Sequence, residues 1–387
     1  MSIQERESKV LFRVYPRSPV SFVSGEGSWL VAEDGTRYLD CLSGISVVSV
    51  GHANPRVAEA IARQASTLVH VSNFFCTEPM VELAERLVGL SGLDRVFFAN
   101  DGATANEAAI KLARKWGQTK RGPECFEVVS LVDSFHGRTL ATLAATGQPA
   151  KQAVFQPLPS GFSQVPVGDL DALRNAVSSK TAAVLVETVQ AEGGVRPVSA
   201  EYLQAVRQLC DEREVLMIVD DVQCGMGRTG SWFSWEPLGF EPDVATMAKA
   251  LANGLPIGAA LAKEKVADVF KPGDHGTTFG GGPVVCAAAL AVLDEFEERE
   301  ILKNVEARSN QFKALLSEIE GVTEVRGRGL LLGVGLEDAR AVEIARNALT
   351  NHLIVNPVRP DTVRFAPPLT ISGEEVDEAV RRFSDSI

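Results

Sequence analysis

The feature that most restricts this chain is a series of short apolar runs, each closing on a polar or charged residue: RVFFA (95 to 99), EVVSLV (127 to 132), AAVLVE (182 to 187), VLMIVD (215 to 220), DVATMAK (243 to 249) and IGAALA (257 to 262). Runs this continuous do not alternate as half-exposed strands do, so they read as strands covered on both faces. Helical spacing fills the gaps, as in AEYLQAVRQLCDER before VLMIVD. Together these predict an α/β fold, a mostly parallel sheet sandwiched by helices. The 387 residues exceed one ordinary core, so a large domain over 49–278 is expected with a small α+β domain over 279–387. Residues 1–48 are assigned to the small domain. They hold a hairpin signal, Glu33-Asp34-Gly35, between two strand-like runs.

Composition removes several functions. A net charge of -12 disfavours nucleic acid, which is held largely by Lys and Arg on phosphate. Six scattered cysteines without a CxxC pair point to a reducing compartment. The start, MSIQERESKVLF, has no apolar signal core, and the run VVCAAALAVL (284 to 293) is well short of the roughly 18 residues of a membrane span. A soluble, cytoplasmic protein is expected, with no membrane partner. The five histidines show no metal-ligand spacing. CGMGRTG matches G-x-G-x-x-G through Gly225, Gly227 and Gly230, but SWFSWEPLGFEP follows it instead of a helix. A tight glycine loop is the better reading than a dinucleotide site.

In open sheets ligands sit beyond the carboxyl ends of the strands. Those ends carry Asn100-Asp101-Gly102-Ala103, Asp133 to Arg138 (DSFHGR), Glu187 to Gly194 (ETVQAEGG), Asp220-Asp221 and Lys249. Burying Asp220 and Asp221 at the end of VLMIV is expensive unless a cation waits there. Gly102 and Ala103 open a helix and offer bare amides to an anion. Asp101 is a natural N-cap for that helix.

NDGATANEAAIKLARKWG, FHGRTLATLAATGQ, VQAEGGVRP, IVDDVQCGMGRTG, ATMAKALANGLPIGA, HGTTFGGGPVV, VRGRGLLLGVGL and VRFAPPL occur in the order found in class III (ω-amino-acid) aminotransferases. The chain resembles these members of the fold type I pyridoxal-phosphate family, above all those of acetylornithine type. The resemblance implies a large domain with a mostly parallel seven-stranded sheet, pyridoxal 5'-phosphate as cofactor, and a homodimer with shared active sites. Lys249 would bond the cofactor covalently and shuttle the proton, and Asp220 would meet the protonated ring nitrogen. Asp101, Gly102 and Ala103 would lie at the phosphate, with Thr278 reaching it from the neighbouring subunit. Phe135 and Val222 would flank the ring and Gln223 its phenolic oxygen. His136 and Glu187 would complete the cofactor's surroundings, His136 as a satisfied residue without a proton-transfer role.

Substrate contacts follow by the same resemblance. Arg138 would bind a substrate carboxylate and Arg364 that of glutamate or 2-oxoglutarate, because a guanidinium fork matches a carboxylate. Glu192 would cover Arg364 while an ω-amine occupies the site. Tyr15 and Ile45 would line the substrate end; Ile45, where relatives acting on free ornithine carry Tyr, tilts the donor toward an Nα-acylated compound. The implied reaction moves the terminal amino group of an N-acylornithine-like donor to 2-oxoglutarate, giving a semialdehyde and glutamate. Asp101, Thr104, Ala191, Asp221 and Gly282 depart from the family pattern. They leave room for another diamine or ω-amino acid donor in a specialised pathway, for a same-fold aminomutase or racemase, and, least, for a non-catalytic relative.

Overall fold

The computed structural model describes residues 3–387. Seven strands build the central sheet: β1 (Arg95–Ala99), β2 (Glu127–Leu131), β3 (Phe162–Val165), β4 (Thr181–Val186), β5 (Leu216–Asp220), β6 (Val244–Met247) and β7 (Gly258–Ala262). Their spatial order is β1-β7-β6-β5-β4-β2-β3. Four of the apolar runs have the predicted environment, since every residue of β4, β5, β6 and β7 is buried, whereas RVFFA forms the edge strand β1 with Arg95 exposed and Val96 and Phe97 half-buried. Successive residues of β4 and β5 serve opposite faces. Ala183, Leu185, Leu216 and Ile218 pack with the helix Gly102–Arg121 residues Ala109 and Ile110. Val184, Val186, Met217 and Val219 join Leu203 and Val206 of the helix Ala200–Arg213.

Two features depart from the apolar pattern. β7 runs antiparallel to both β6 and β1, because the connection from Met247 to Gly258 is too short for the crossover that a parallel neighbour needs. β3, with sequence FSQV, sits at the sheet edge and is mostly half-exposed. An edge strand needs no continuous apolar run, which is why sequence patterning does not single it out.

The hairpin forms as expected: Trp29–Ala32 pairs antiparallel with Arg37–Asp40, and Asp34 Oδ1 accepts from Thr36 N–H at 2.9 Å. This sheet gains a parallel strand from Leu353–Ile354. A third, antiparallel sheet joins Val322–Arg328, Leu331–Leu336, Thr362–Phe365 and Asn356–Arg359. Among the described residues no helix is long and apolar enough to cross a membrane.

The glycine loop after β5 is a packing device. A Cβ on Gly227 would lie 2.4 Å from the Phe296 ring, and one on Gly225 2.4 Å from the Asp221 carboxylate. Between them and the third sheet lies Arg228, fully buried. Its guanidinium donates to the carbonyls of Leu330 (2.9 Å) and Pro367 (2.6 Å), and burial presses its pKa well down. Arg228→Ala leaves two carbonyls without donors and a large void. It is expected to cost about 3–5 kcal/mol of stability, read by denaturant unfolding; a loss under ~1 kcal/mol would mean the loop holds without it.

Candidate active site

One cavity of about 400 Å³ opens at the carboxyl ends of the strands and is lined by Asp101, Gly102, Ala103, Phe135, His136, Arg138, Glu187, Asp220, Val222, Gln223 and Lys249. Sequence reasoning named each of them, and the fold brings them together. Five other named residues do not line it: Glu192 and Arg364, which reach it through Gln223, and Thr278, Tyr15 and Ile45. Thr278 is exposed beside a separate crevice that includes His70, Ser72 and Gly280. Tyr15 is 69% exposed and Ile45 40%.

Asp220 ends the central strand β5, buried, and is held on both oxygens. Val222 N–H donates to Oδ1 at 3.1 Å, Asn106 Nδ2 donates to Oδ2 at 2.7 Å, and His136 Nδ1 lies 2.7 Å from the same Oδ2. Asn106 also donates to the His136 carbonyl (2.8 Å) and accepts from the Thr246 hydroxyl (2.6 Å). This fixes the amide orientation, and with it the carboxylate. The expectation that His136 is fully satisfied needs correction. With Nδ1 turned to Asp220, Nε2 is buried and has no hydrogen-bond partner among the described residues.

Lys249 follows β6 and opens a tight turn, Lys249–Ala252, with φ +42. A non-glycine residue in this left-handed region is strained, which the structure tolerates where the side chain must be aimed. Burial lowers its pKa against the attraction of Glu192, and the charge of Arg364 adds to the lowering. A lysine so placed releases its proton more readily than a free one. Glu187 is pushed well above the usual carboxylate range by burial and by Asp220, while its Oε2 accepts from Phe135 N–H at 3.0 Å.

The helix Gly102–Arg121 points its N-terminus at the cavity. Asp101 caps it: Oδ1 accepts from Thr104 N–H at 2.7 Å, and the Thr104 hydroxyl accepts in return from Asp101 N–H at 3.0 Å. The two departures at 101 and 104 thus form one capping box, with the Asp101 carboxylate engaged by the helix and the Gly102 and Ala103 amides left over. Gly102 is required here, as a Cβ would meet Val222 at 2.5 Å.

Behind Gln223, Arg364 is buried and pairs with Glu192 at 2.5 Å; it also donates to Gln223 Oε1 (3.1 Å) and Asn356 Oδ1 (3.0 Å). Burial alone would raise the Glu192 carboxyl, but the charge and hydrogen bond of Arg364 bring it below its ordinary value. Sequence reasoning missed Asn106, Thr246 and Asn356, neutral residues of which Asn106 and Thr246 have partners remote in the chain.

Asp221, buried beside Asp220, takes a different role from its neighbour. Its Oδ2 accepts from Ser234 N–H at 3.1 Å, its Oδ1 accepts from the Ser234 hydroxyl, and burial pushes its pKa up to about 7. The unfolded carboxyl titrates near 3.8, so the folded protein holds a proton that the unfolded chain loses between those values. This contribution to stability is full below pH ~4 and declines as pH rises to ~7. Asp221→Asn is therefore expected to remove about 2–3 kcal/mol of the decline between pH 5 and pH 8. Parallel unfolding curves of the two proteins at both pH values would sink this.

The cavity suits a phosphorylated aromatic aldehyde on three observations of the donor set: a fixed carboxylate at one end, an amine without an ion pair on the floor, and free helix amides at the other side. The profile of the family described as Aminotransferase class-III matches residues 13–387. The chain is 45% identical over 383 residues to the acetylornithine aminotransferase of Methanocaldococcus jannaschii, covering 98% of this chain and 96% of that one. It is similar to the acetylornithine aminotransferase structure from Elizabethkingia anophelis, with TM-score 0.88, 32% identity and coverage of 99% and 97%. The ornithine aminotransferase of Toxoplasma gondii, solved with partial occupancy of PLP at its active site, matches with TM-score 0.94, 32% identity and coverage of 99% and 93%.

Proposed function

The chain belongs to the class-III aminotransferases, and on that footing we propose that it moves the terminal amino group of an N-acylornithine-like donor to 2-oxoglutarate, leaving a semialdehyde and forming glutamate. The observation that carries this reading is the Glu192–Arg364 pair, which reaches through Gln223 to the cavity that holds Lys249 and Asp220. A reversible cover on a carboxylate-binding arginine serves a site that must admit first an ω-amine and then a dicarboxylate. Mutases and racemases of the same fold have no use for it.

Pyridoxal phosphate, when bound, supplies the aldehyde that receives the amino group and an electron-withdrawing ring. Asp220 would hold the ring nitrogen's proton, kept in place by Asn106 and His136. Gly102 and Ala103 would donate amides to the phosphate, and Phe135, Val222 and Gln223 would position the ring. Lys249 would hold the cofactor covalently at rest and move the proton at the donor's reacting carbon. Arg138 would take the donor's α-carboxylate. Tyr15, Ile45 and Thr278 point to a homodimer in which they complete a site, Thr278 from the neighbouring subunit. The reaction belongs to arginine biosynthesis on this reading, in the cytoplasm.

The test is the visible absorption of the purified enzyme during addition of N-acetylornithine, N-succinylornithine, ornithine, 4-aminobutyrate and lysine. An acylornithine should remove the absorption of the lysine-bound cofactor, and 2-oxoglutarate should restore it. Removal by ornithine or 4-aminobutyrate in preference to both acylated donors would overturn the donor assignment.

A further inference from the structure

Between the hairpin strand Arg37–Asp40 and the helix Pro55–Thr67 the backbone takes a sterically costly path. Ser43, Gly44, Ile45 and Ser46 have φ of +49, +66, +70 and +62, a turn of left-handed helix closed by Val47 N–H on the Ser43 carbonyl at 2.9 Å. Residues other than glycine enter this region singly rather than in runs, and a β-branched residue such as Ile45 suits it least. Such strain persists only where the surroundings over-determine it. Here Asp40 supplies the hold. It is buried, its Oδ1 accepts from the Leu42 and Ser43 amides at 2.9 and 2.8 Å, and its Oδ2 lies 2.8 Å from His52 Nε2.

The turn is fastened to the groups that would meet the amino acceptor. The Ser43 hydroxyl donates to the Ala366 carbonyl at 2.7 Å, and Ala366 N–H donates to the Cys41 carbonyl at 2.7 Å. Ala366 directly follows the strand Thr362–Phe365, which carries Arg364. The Ser46 hydroxyl reaches Gln223 Oε1 at 3.4 Å, the oxygen to which Arg364 donates at 3.1 Å. Past the turn, the Ser49 hydroxyl donates to the Ala250 carbonyl at 3.0 Å and Val50 N–H to Asn253 Oδ1 at 2.9 Å, which ties the segment to the tight turn Lys249–Ala252. One braced stretch of backbone thus spans Arg364 and Lys249. Resting on the 2-oxoglutarate half of the function proposed above, we propose that Asp40 is a positioning residue: by holding the left-handed turn it sets Arg364 at the distance from Lys249 that a dicarboxylate acceptor needs, without touching the acceptor. A turn relaxed to the right-handed form withdraws the Ser43 hydroxyl from Ala366 and the Ser46 hydroxyl from Gln223, and small displacements of a positioning group are costly.

The experiment is calorimetric binding of glutarate and of pentanoate to the cofactor-loaded enzyme. Glutarate, the acceptor without its keto group, needs Arg364 as well as Arg138; pentanoate has a single carboxylate, which Arg138 takes while Glu192 covers Arg364. Asp40→Ala should weaken glutarate binding about tenfold or more and pentanoate binding less than about twofold. Asp40→Asn, which keeps an oxygen for both amides, should recover glutarate binding to within about threefold of the wild type. Gly44→Ala keeps the test open should Asp40→Ala fail to fold. Its methyl has room, with Val47 Cβ nearest at 3.7 Å, so that only the left-handed backbone resists it, and it should weaken glutarate alone by about threefold. Glutarate binding unchanged in the folded variants, or an equal loss of both ligands, overturns the proposal and leaves the acceptor assignment standing. A wild-type enzyme that binds no glutarate and does not respond to 2-oxoglutarate sinks that assignment and the proposal with it.

Discussion

Lys249→Ala is expected to lower amino-group transfer by at least about 10³-fold, because one amine both anchors the cofactor and moves the proton. Lys249 makes no ion pair among the described residues, and burial works against its charge. Its removal therefore relieves a desolvated charge, a gain that outweighs the attraction of Glu192 and Asp220 it gives up. The variant should melt at or above the wild-type temperature when both are free of cofactor. That combination, an inactive protein as stable as its parent, separates a chemical role from a packing role. Turnover within tenfold of wild type would remove Lys249 from the mechanism.

Asp220→Asn is the second large effect, expected at about 10²–10³-fold in turnover, the scale of losing one preorganised electrostatic partner. The substitution keeps the shape and removes the charge. It also creates a conflict within the protein. Asp220 accepts from Val222 N–H on one oxygen and from Asn106 on the other; an asparagine amide must turn its NH₂ toward one of these donors. The mismatch should cost about 1–3 kcal/mol of stability without cofactor. Cofactor retention on dialysis should fall as well. A variant with unchanged turnover and retention would show that the ring nitrogen is met elsewhere.

Much of this was legible beforehand for reasons that are local. A strand covered on both faces must be apolar throughout, so β4, β5, β6 and β7 declare themselves in any window of six residues. A costly residue at the end of such a strand is rarely idle, and Asp220, Lys249, Glu187 and the amides of Gly102 and Ala103 all stand there. The glycine loop also read correctly as packing, because the sequence after Gly230 cannot open a helix. The edge strand β3 was invisible since its half-exposed FSQV lacks the apolar run.

What the chain determined by itself was which residues carry chemistry and on which side of the sheet they emerge, since periodicity and burial cost act over a few neighbouring positions. The tertiary structure alone decided their partners. Asn106 reaches Asp220 across 114 positions, and Glu192 meets Arg364 across 172. Two cations came to share the Phe135 ring. Such contacts follow from strand order, register and the antiparallel turn of β7, which arise when distant segments pack and have no signature in any single stretch of sequence.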